Sequence, residues 1–498
     1  MTHPWEQLLP RLDEMADLRH AATLMHWDQS TKMPPKGAHA RARALSSIQA
    51  IMHDRLVDPE VGTLLGELEA DDSIDTERAA HVRILRRDYD RATKVPRDLV
   101  REIAETEGLA YQAWIEAKPA SDFSMLEPHL TKLVALKKEQ ADAIGYESER
   151  YDALLDDFEP GMKTAEVESL LTGLVLELKP IADAILANTG PRPDFLSRRF
   201  DEEKQISFCE WLIDRLGYDM RGGRLDRSPH PFTIHIGRGD VRQTIWTRPK
   251  MPLSPIYAAI HETGHALYDQ GIPDHLVGLP AGNAPSFGMH ESQSRLWENQ
   301  VGRGRTFTEF MLPHLKERFP EVGMITPDEF YLGVNYPQRT LIRVEADELT
   351  YNLHIVLRFE LELALMRDEL EVSDLPDAWD AGMEKHLGLR PESQTEGVLQ
   401  DMHWSVGSIG YFPTYTLGTL YAAAFFAAAE AELGPFDDGL RAGETGRLLA
   451  WLRDKIHRHA YIYEAKDLGA RVTGGDLTVA PFLDYLKKKY REIYSVSF

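Results

Sequence analysis

The sequence predicts a mainly α-helical fold with one small β element beside a strongly marked helix. Three observations carry that expectation. Apolar residues recur at three- and four-residue steps along most of the 498-residue chain. Only Pro231 to Arg248 shows the two-residue alternation of a half-buried strand. The segment that follows, Ser254 to Gly271, carries start and stop signals at its two ends.

Residues 5–25 set Leu8, Leu9, Leu12, Met15, Leu18 and Ala22 at helical spacing. A second helical block runs from Glu77 to Lys118 and breaks at Pro96, with Asp98 the candidate cap of its second half. Further helical blocks cover roughly 126–144, 164–188 and 202–216, then 307–318, 340–369, 376–387, 415–432 and 444–463. Between them, Phe232, Ile234 and Ile236 alternate with Thr233 and His235, "GRGD" supplies turn residues, and Val241 to Thr247 is rich in β-formers. This reads as a β-hairpin. No repeat, low-complexity tract or long Gly/Ser linker appears, so residues 1–498 read as a single domain. Loops at 192–199 and 221–231 are its best internal breaks, between an N-terminal helical half of about 1–195 and a catalytic half of about 196–498.

The charge balance is 56 − 80 = −24, the sign carried by nucleic acids and anionic membranes, so neither is an expected partner. Cys209 is the one cysteine, which excludes an intramolecular disulfide and a cysteine-based zinc site and suits a reducing compartment. The N-terminal stretch has no signal-peptide core, and the apolar run 420–429 is about half the length of a membrane span. The expected location is the cytoplasm.

In "SPIYAAIHETGHALYDQG", Ser254 is a candidate N-cap, Pro255 suits the first turn, and Gly271 and Pro273 end the helix. His261 and His265 then share one face a turn apart, where two imidazoles can meet one metal ion. Glu262 lies about 100° around, placed to reach a water at that metal without ligating it. Gly264 removes a side chain and lets another element approach. Chance alone yields such a match in roughly 7% of chains of this composition, so a third ligand is the sharper test. Catalytic zinc usually takes three protein ligands. Glu291 lies 26 residues beyond His265, on a helix that Ser286 can cap and that ends near Gly302. His290 is the rival, because adjacent helix positions point about 100° apart and both cannot ligate. Glu298 has two readings: an acceptor behind a ligand histidine, or solvated surface, the commoner fate of a helical glutamate.

"HETGHALYDQG" and "HESQSRLWENQVGR" resemble the carboxypeptidase Taq family of zinc metallocarboxypeptidases. "WDQSTKMP" (27–34), "DVRQT" (240–244), "IRVEAD" (342–347), "GVLQDMHW" (397–404) and "GYFPTYTLG" (410–418) resemble further elements of that family, in the same order. Thr263 and Asp269 depart from its pattern within the histidine helix. The resemblance implies a single-fold helical zincin with a deep substrate groove and a small sheet beside the zinc helix. It also implies a homodimer that releases C-terminal residues singly from peptides with a free C-terminus, with broad specificity and poor handling of proline.

The roles expected on this basis are specific. One Zn²⁺ per chain, replaceable by Co²⁺ or Mn²⁺, sits on His261, His265 and Glu291, and Glu262 is the general base. His403, Tyr411 and Tyr415 are candidate oxyanion donors. Arg343 is the candidate anchor of the substrate carboxylate, although an arginine beside Glu345 and Asp347 is commonly a structural ion pair. Gln400 and Asp401 are expected to close the groove end, and Arg242 is a weaker binding candidate beside Asp240. The strand 241–247 is expected to hold an extended peptide by β-addition. The rival readings are an oligopeptidase or endopeptidase of the same zinc-helix class and a non-catalytic scaffold with a relic metal site, which intact Glu262 argues against; a secreted toxin-like protease is disfavoured by the missing signal and the single cysteine.

Overall fold

The structure is a computed structural model that describes residues 3–496. Among these residues α-helix dominates and one three-stranded sheet is the sole β structure. Pro96 does split its block, into helices Thr76–Lys94 and Arg97–Ala120. The cap differs from expectation: Pro96 itself holds the N-cap position, and Asp98 falls in the first turn, where its charge suits the positive end of the helix dipole. The 340–369 block is a 3₁₀ turn, Arg343–Glu345, followed by a helix, Tyr351–Met366. Asp347 forces this break, because its carboxylate accepts the backbone N–H groups of Gln338, Leu349 and Thr350.

Strands β1 (Gly223–Arg227), β2 (Phe232–Gly237) and β3 (Asp240–Ile245) form a sheet in the order β1-β3-β2. β2 and β3 are the expected antiparallel hairpin, turning through Gly239 at φ 70°. β1 lies in what reads as a loop. "GRLDR" has no β-branched residue, and its pairing with β3 is parallel, so no local signal announces it. Gly223 is required there, since a Cβ would stand 2.0 Å from the Tyr218 hydroxyl and the Val241 carbonyl. β3 is therefore the central strand, with both edges hydrogen-bonded. The expectation that residues 241–247 take up a peptide by β-addition is corrected on that ground, and β2 is the edge strand on this side.

Two large apolar clusters frame the molecule. One joins residues between 95 and 185 to residues between 349 and 496. The other joins residues 195–334 to 421–468 and encloses Ile256, Ile260 and Leu267 of the histidine helix. The apolar run at 420–429 lies in helix Pro413–Leu433, largely buried. No helix among the described residues is long and apolar enough to cross a membrane. Cys209 is buried, and desolvation pushes its thiol pKa up, away from reactivity.

Candidate metal centre

The histidine helix spans Ser254–Asp269. Ser254 is its first helical residue and not its cap, because the Met251–Ser254 turn, closed by the Ser254 N–H on the Met251 carbonyl, runs straight into the helix. The next helix, Phe287–Arg295, starts at Ser286, whose hydroxyl accepts the Met289 N–H at 3.0 Å. A second anchor holds this start. The buried carboxyl of Glu159 accepts the Gly288 N–H, and desolvation raises its pKa to about 8.

Two glycines bring the third chain element close. A Cβ on Gly264 would stand 2.5 Å from Ser294 Cα and 2.6 Å from the Gln293 carbonyl. A Cβ on Gly418, in helix Pro413–Leu433, would stand 2.6 Å from Cβ and Cγ of Glu291. The helix that carries Glu291 is thus gripped from both sides.

Within that grip, His261, His265 and Glu291 each offer one donor atom, all within 4.8 Å of one another. Glu291 Oε2 lies 3.3 Å from His265 Nε2 and 3.6 Å from His261 Nε2. His261 Nδ1 is engaged by Glu298 Oε2 at 3.0 Å, which leaves Nε2 toward Glu291. Desolvation lowers the His265 pKa to about 4, so its ring is neutral with a lone pair to give. Burial opposes the charge on Glu291, but Arg295 (Nε at 2.7 Å from Oε1) and His261 outweigh it and hold the pKa well below the usual range. Two imidazole nitrogens and one ionised carboxylate fit zinc or a similar divalent ion.

Glu298 is not solvated surface. Leu296–Gly302 is a π-helix that turns Glu298 inward, onto His261 and near Arg295 (3.5 Å) and Arg303 (3.2 Å). Burial disfavours its charge, yet the His261 bond and the two arginines bring its pKa to about 2. His290 stays outside the group of three: its Nε2 meets Asp269 at 3.0 Å, and its ring stacks on His265 at 4.5 Å. Glu262 is buried beside the group, its Oε2 accepting the Thr233 hydroxyl of β2 at 2.8 Å. Burial raises the Glu262 pKa, opposed by His261 and Thr233.

Arg343 is 5% exposed, and its partner is Asp401 rather than Glu345 or Asp347. Nε and Nη2 reach Asp401 at 3.1 and 2.7 Å, Nη1 reaches the Tyr351 hydroxyl at 2.8 Å, and the backbone N–H reaches Gln400 Oε1 at 2.9 Å. Arg358 also meets Asp401, at 2.7 Å, and Gln400, at 2.8 Å. Two guanidinium groups therefore share one carboxylate, a buried surplus of one positive charge. Tyr351 links this end to the three-donor group, with Arg295 over its ring at 4.4 Å. The His403 ring lies 5.3 Å from Tyr411 and 6.4 Å from Tyr415. Burial lowers the His403 pKa to about 4 and raises that of Tyr411 to about 12, so both are neutral donors. Arg242 is occupied elsewhere, paired with Asp240 at 2.7 Å and lying 4.4 Å over Trp27 of "WDQSTKMP". Sequence reasoning missed Thr233, Arg295, Tyr351 and Arg358. Of these only Arg295, one turn beyond Glu291, had a spacing signal.

Two histidines a turn apart on one helix, met by a glutamate from the next and flanked by a buried glutamate, form a candidate metal centre with the donor set a metallopeptidase uses. The chain belongs to the carboxypeptidase Taq (M32) metallopeptidase family, whose profile matches residues 7–490, and it is a metallocarboxypeptidase. A thermostable carboxypeptidase 1 of Thermus thermophilus is 43% identical over 505 residues, spanning 98% of this chain and 99% of its own. Carboxypeptidase 1 of Bacillus subtilis is 35% identical, with 99% of each chain covered. The crystal structure of an M32 carboxypeptidase from Deinococcus radiodurans R1 matches with a TM-score of 0.96 at 40% identity, covering 99% of this chain and 100% of that one.

Proposed function

We propose that the chain is a zinc carboxypeptidase that removes single residues from the free C-terminus of peptides, with broad specificity and little activity on proline. The observation that carries this is the placement of a three-donor group beside buried Glu262, linked through Tyr351 to the buried arginine pair Arg343 and Arg358. His261, His265 and Glu291 would hold the metal, which when bound would supply Lewis acidity. Co²⁺ or Mn²⁺ can take the same donors.

Glu262 accepts the proton of the attacking water and delivers it to the leaving amine. Burial makes it a stronger base than a solvated glutamate, and Thr233 fixes its carboxylate. Tyr411, Tyr415 and His403, all neutral, are the donors for the oxyanion of the tetrahedral intermediate. Of the five N–H groups of Arg343, three are committed to Asp401 and Tyr351, which leaves two for the substrate α-carboxylate. Asp401 holds that guanidinium in place, and Gln400 holds the Arg343 backbone N–H. We treat the chain as a single catalytic domain, since one apolar cluster joins residues from both halves. The family resemblance implies a homodimer, and the single cysteine suits a reducing compartment such as the cytoplasm.

Hydrolysis of a peptide as the free acid and as the C-terminal amide tests the reading. Wild-type protein should favour the acid strongly, and Arg343→Ala should lose most of that preference. Equal losses on acid and amide in Arg343→Ala would remove Arg343 as the anchor.

A further inference from the structure

Phe287 is 51% exposed, although it opens the helix that bears Glu291. It precedes Glu291 by four residues, so the two side chains lie on one helix face with Cβ atoms about 6 Å apart. The phenyl ring is not isolated. It meets Phe158 at 5.7 Å and Tyr411 at 5.7 Å, both edge-on, and Phe158 meets Tyr411 at 5.1 Å. The Phe287 N–H also bonds the Phe158 carbonyl at 3.0 Å, which ties the two rings to one backbone junction. The result is a three-ring apolar wall, one side open, a turn away from a donor of the candidate metal group.

The same helix face gives the wall a direction. Four residues beyond Glu291 comes Arg295, which lies 4.4 Å over the Tyr351 ring, and the Tyr351 hydroxyl accepts from Arg343. Phe287, Glu291 and Arg295 thus form one row, with the carboxylate anchor beyond Arg295 and Phe287 at the opposite end; Tyr411 lies between, 5.3 Å from Tyr415, over whose ring Arg343 sits at 5.0 Å. A peptide whose carboxylate lies at Arg343 and whose scissile carbonyl lies at Glu291 must send its upstream residues toward Phe287. One helical turn is about 5.4 Å, roughly the reach of a large side chain from the residue that carries the scissile carbonyl, so Phe287 meets the side chain of that residue.

We propose that Phe287, backed by Phe158 and Tyr411, is a specificity-determining subsite that takes a large apolar or aromatic side chain immediately upstream of the scissile bond. This rests on Arg343 as the carboxylate anchor. An apolar pocket of this kind discriminates by about 10- to 200-fold between side chains.

The test compares kcat/KM on two series of N-acylated dipeptides, acyl-X-Ala and acyl-Ala-Z, with X or Z as Gly, Leu or Phe. Wild-type protein should prefer X = Phe over X = Gly. Phe287→Ala should cut that ratio about tenfold, Phe287→Leu should keep part of it and Phe287→Tyr most of it, while the Z ratios stay fixed in all three. Bound metal measured by mass spectrometry should match wild type in the Leu and Tyr variants, so the graded series stands even if Phe287→Ala folds poorly. An X ratio that is flat across the variants overturns the proposal, and so does a change confined to Z, which would put Phe287 on the leaving-group side. The two readings fail separately. If the anchor alone is wrong, acyl-X-Ala amides are cleaved as fast as the acids while the X ratio still follows Phe287. If the subsite alone is wrong, the preference for acids persists and the X ratio ignores Phe287.

Discussion

Gly264→Ala puts a methyl group where the backbone of the Glu291 helix already stands. The new Cβ would be 2.5 Å from Ser294 Cα, 2.6 Å from the Gln293 carbonyl and 2.8 Å from Ser294 N. Non-bonded carbon atoms settle at about 3.5–4.0 Å, so the two helices must part by about 1 Å, since none of the three atoms belongs to a side chain that can rotate away. Metal–ligand distances hold to about 0.2 Å, and Glu291 rides on the helix that moves. The displacement is several times that tolerance. Overpacking of this kind costs about 1–3 kcal/mol of stability. The loss in zinc affinity should reach at least the roughly 10- to 100-fold seen when a ligand merely loses its supporting hydrogen bond. Zinc affinity is read by competition with a chromophoric chelator, alongside thermal melting of the metal-free protein. Gly418→Ala perturbs Glu291 from the other side, where the contact is 2.6 Å to its Cβ and Cγ, and should weaken zinc binding similarly. If Gly264→Ala lowers the melting temperature yet binds zinc as wild type does, close helix approach is not what places Glu291.

Glu262→Gln should keep its zinc and lose about 10²- to 10⁴-fold in kcat, and near-normal turnover would remove Glu262 as the base. Glu298→Ala leaves His261 Nδ1 without its acceptor, so zinc affinity should fall about 10- to 100-fold by the same competition assay. Glu159 holds its proton in the folded state up to about 8, against 4.5 for the ordinary group. Its contribution to stability is therefore fully present below about pH 4.5 and is lost as pH rises through about 8. Glu159→Gln cannot ionise, so the melting temperature of wild type relative to this variant should fall between pH 5 and 8.5, and a constant difference would refute the assignment.

Helices announced themselves where an amphipathic repeat met a clear stop, as at Pro96 or in the histidine helix. Helix spacing and the Ser286-capped segment point to His261, Glu262, His265 and Glu291 before any resemblance is considered, and the structure gathers them on two adjacent helices. What stayed hidden was set by tertiary contact. β1 exists because β3 offers it a partner, not because "GRLDR" prefers a strand. Glu298 looks like any exposed helical glutamate until the π-helix at Leu296–Gly302 changes its direction, a feature that no 3.6-residue repeat encodes. Thr233 reaches Glu262, and Arg358 reaches Asp401, across 29 and 43 residues of chain, and spacing carries no information over such intervals. For Arg343 the local acidic neighbours pointed to the wrong partner: Asp347 is consumed by backbone N–H groups, and Asp401 takes the guanidinium.

The most direct test of the central claim is a timed digestion of one free-acid peptide, followed by mass spectrometry, with metal present, after chelation and after zinc is restored. A metal-dependent carboxypeptidase should give a ladder of single C-terminal losses that stops on chelation, resumes with zinc, and is absent from the C-terminal amide. Internal fragments, or a ladder that ignores the chelator, would contradict the account.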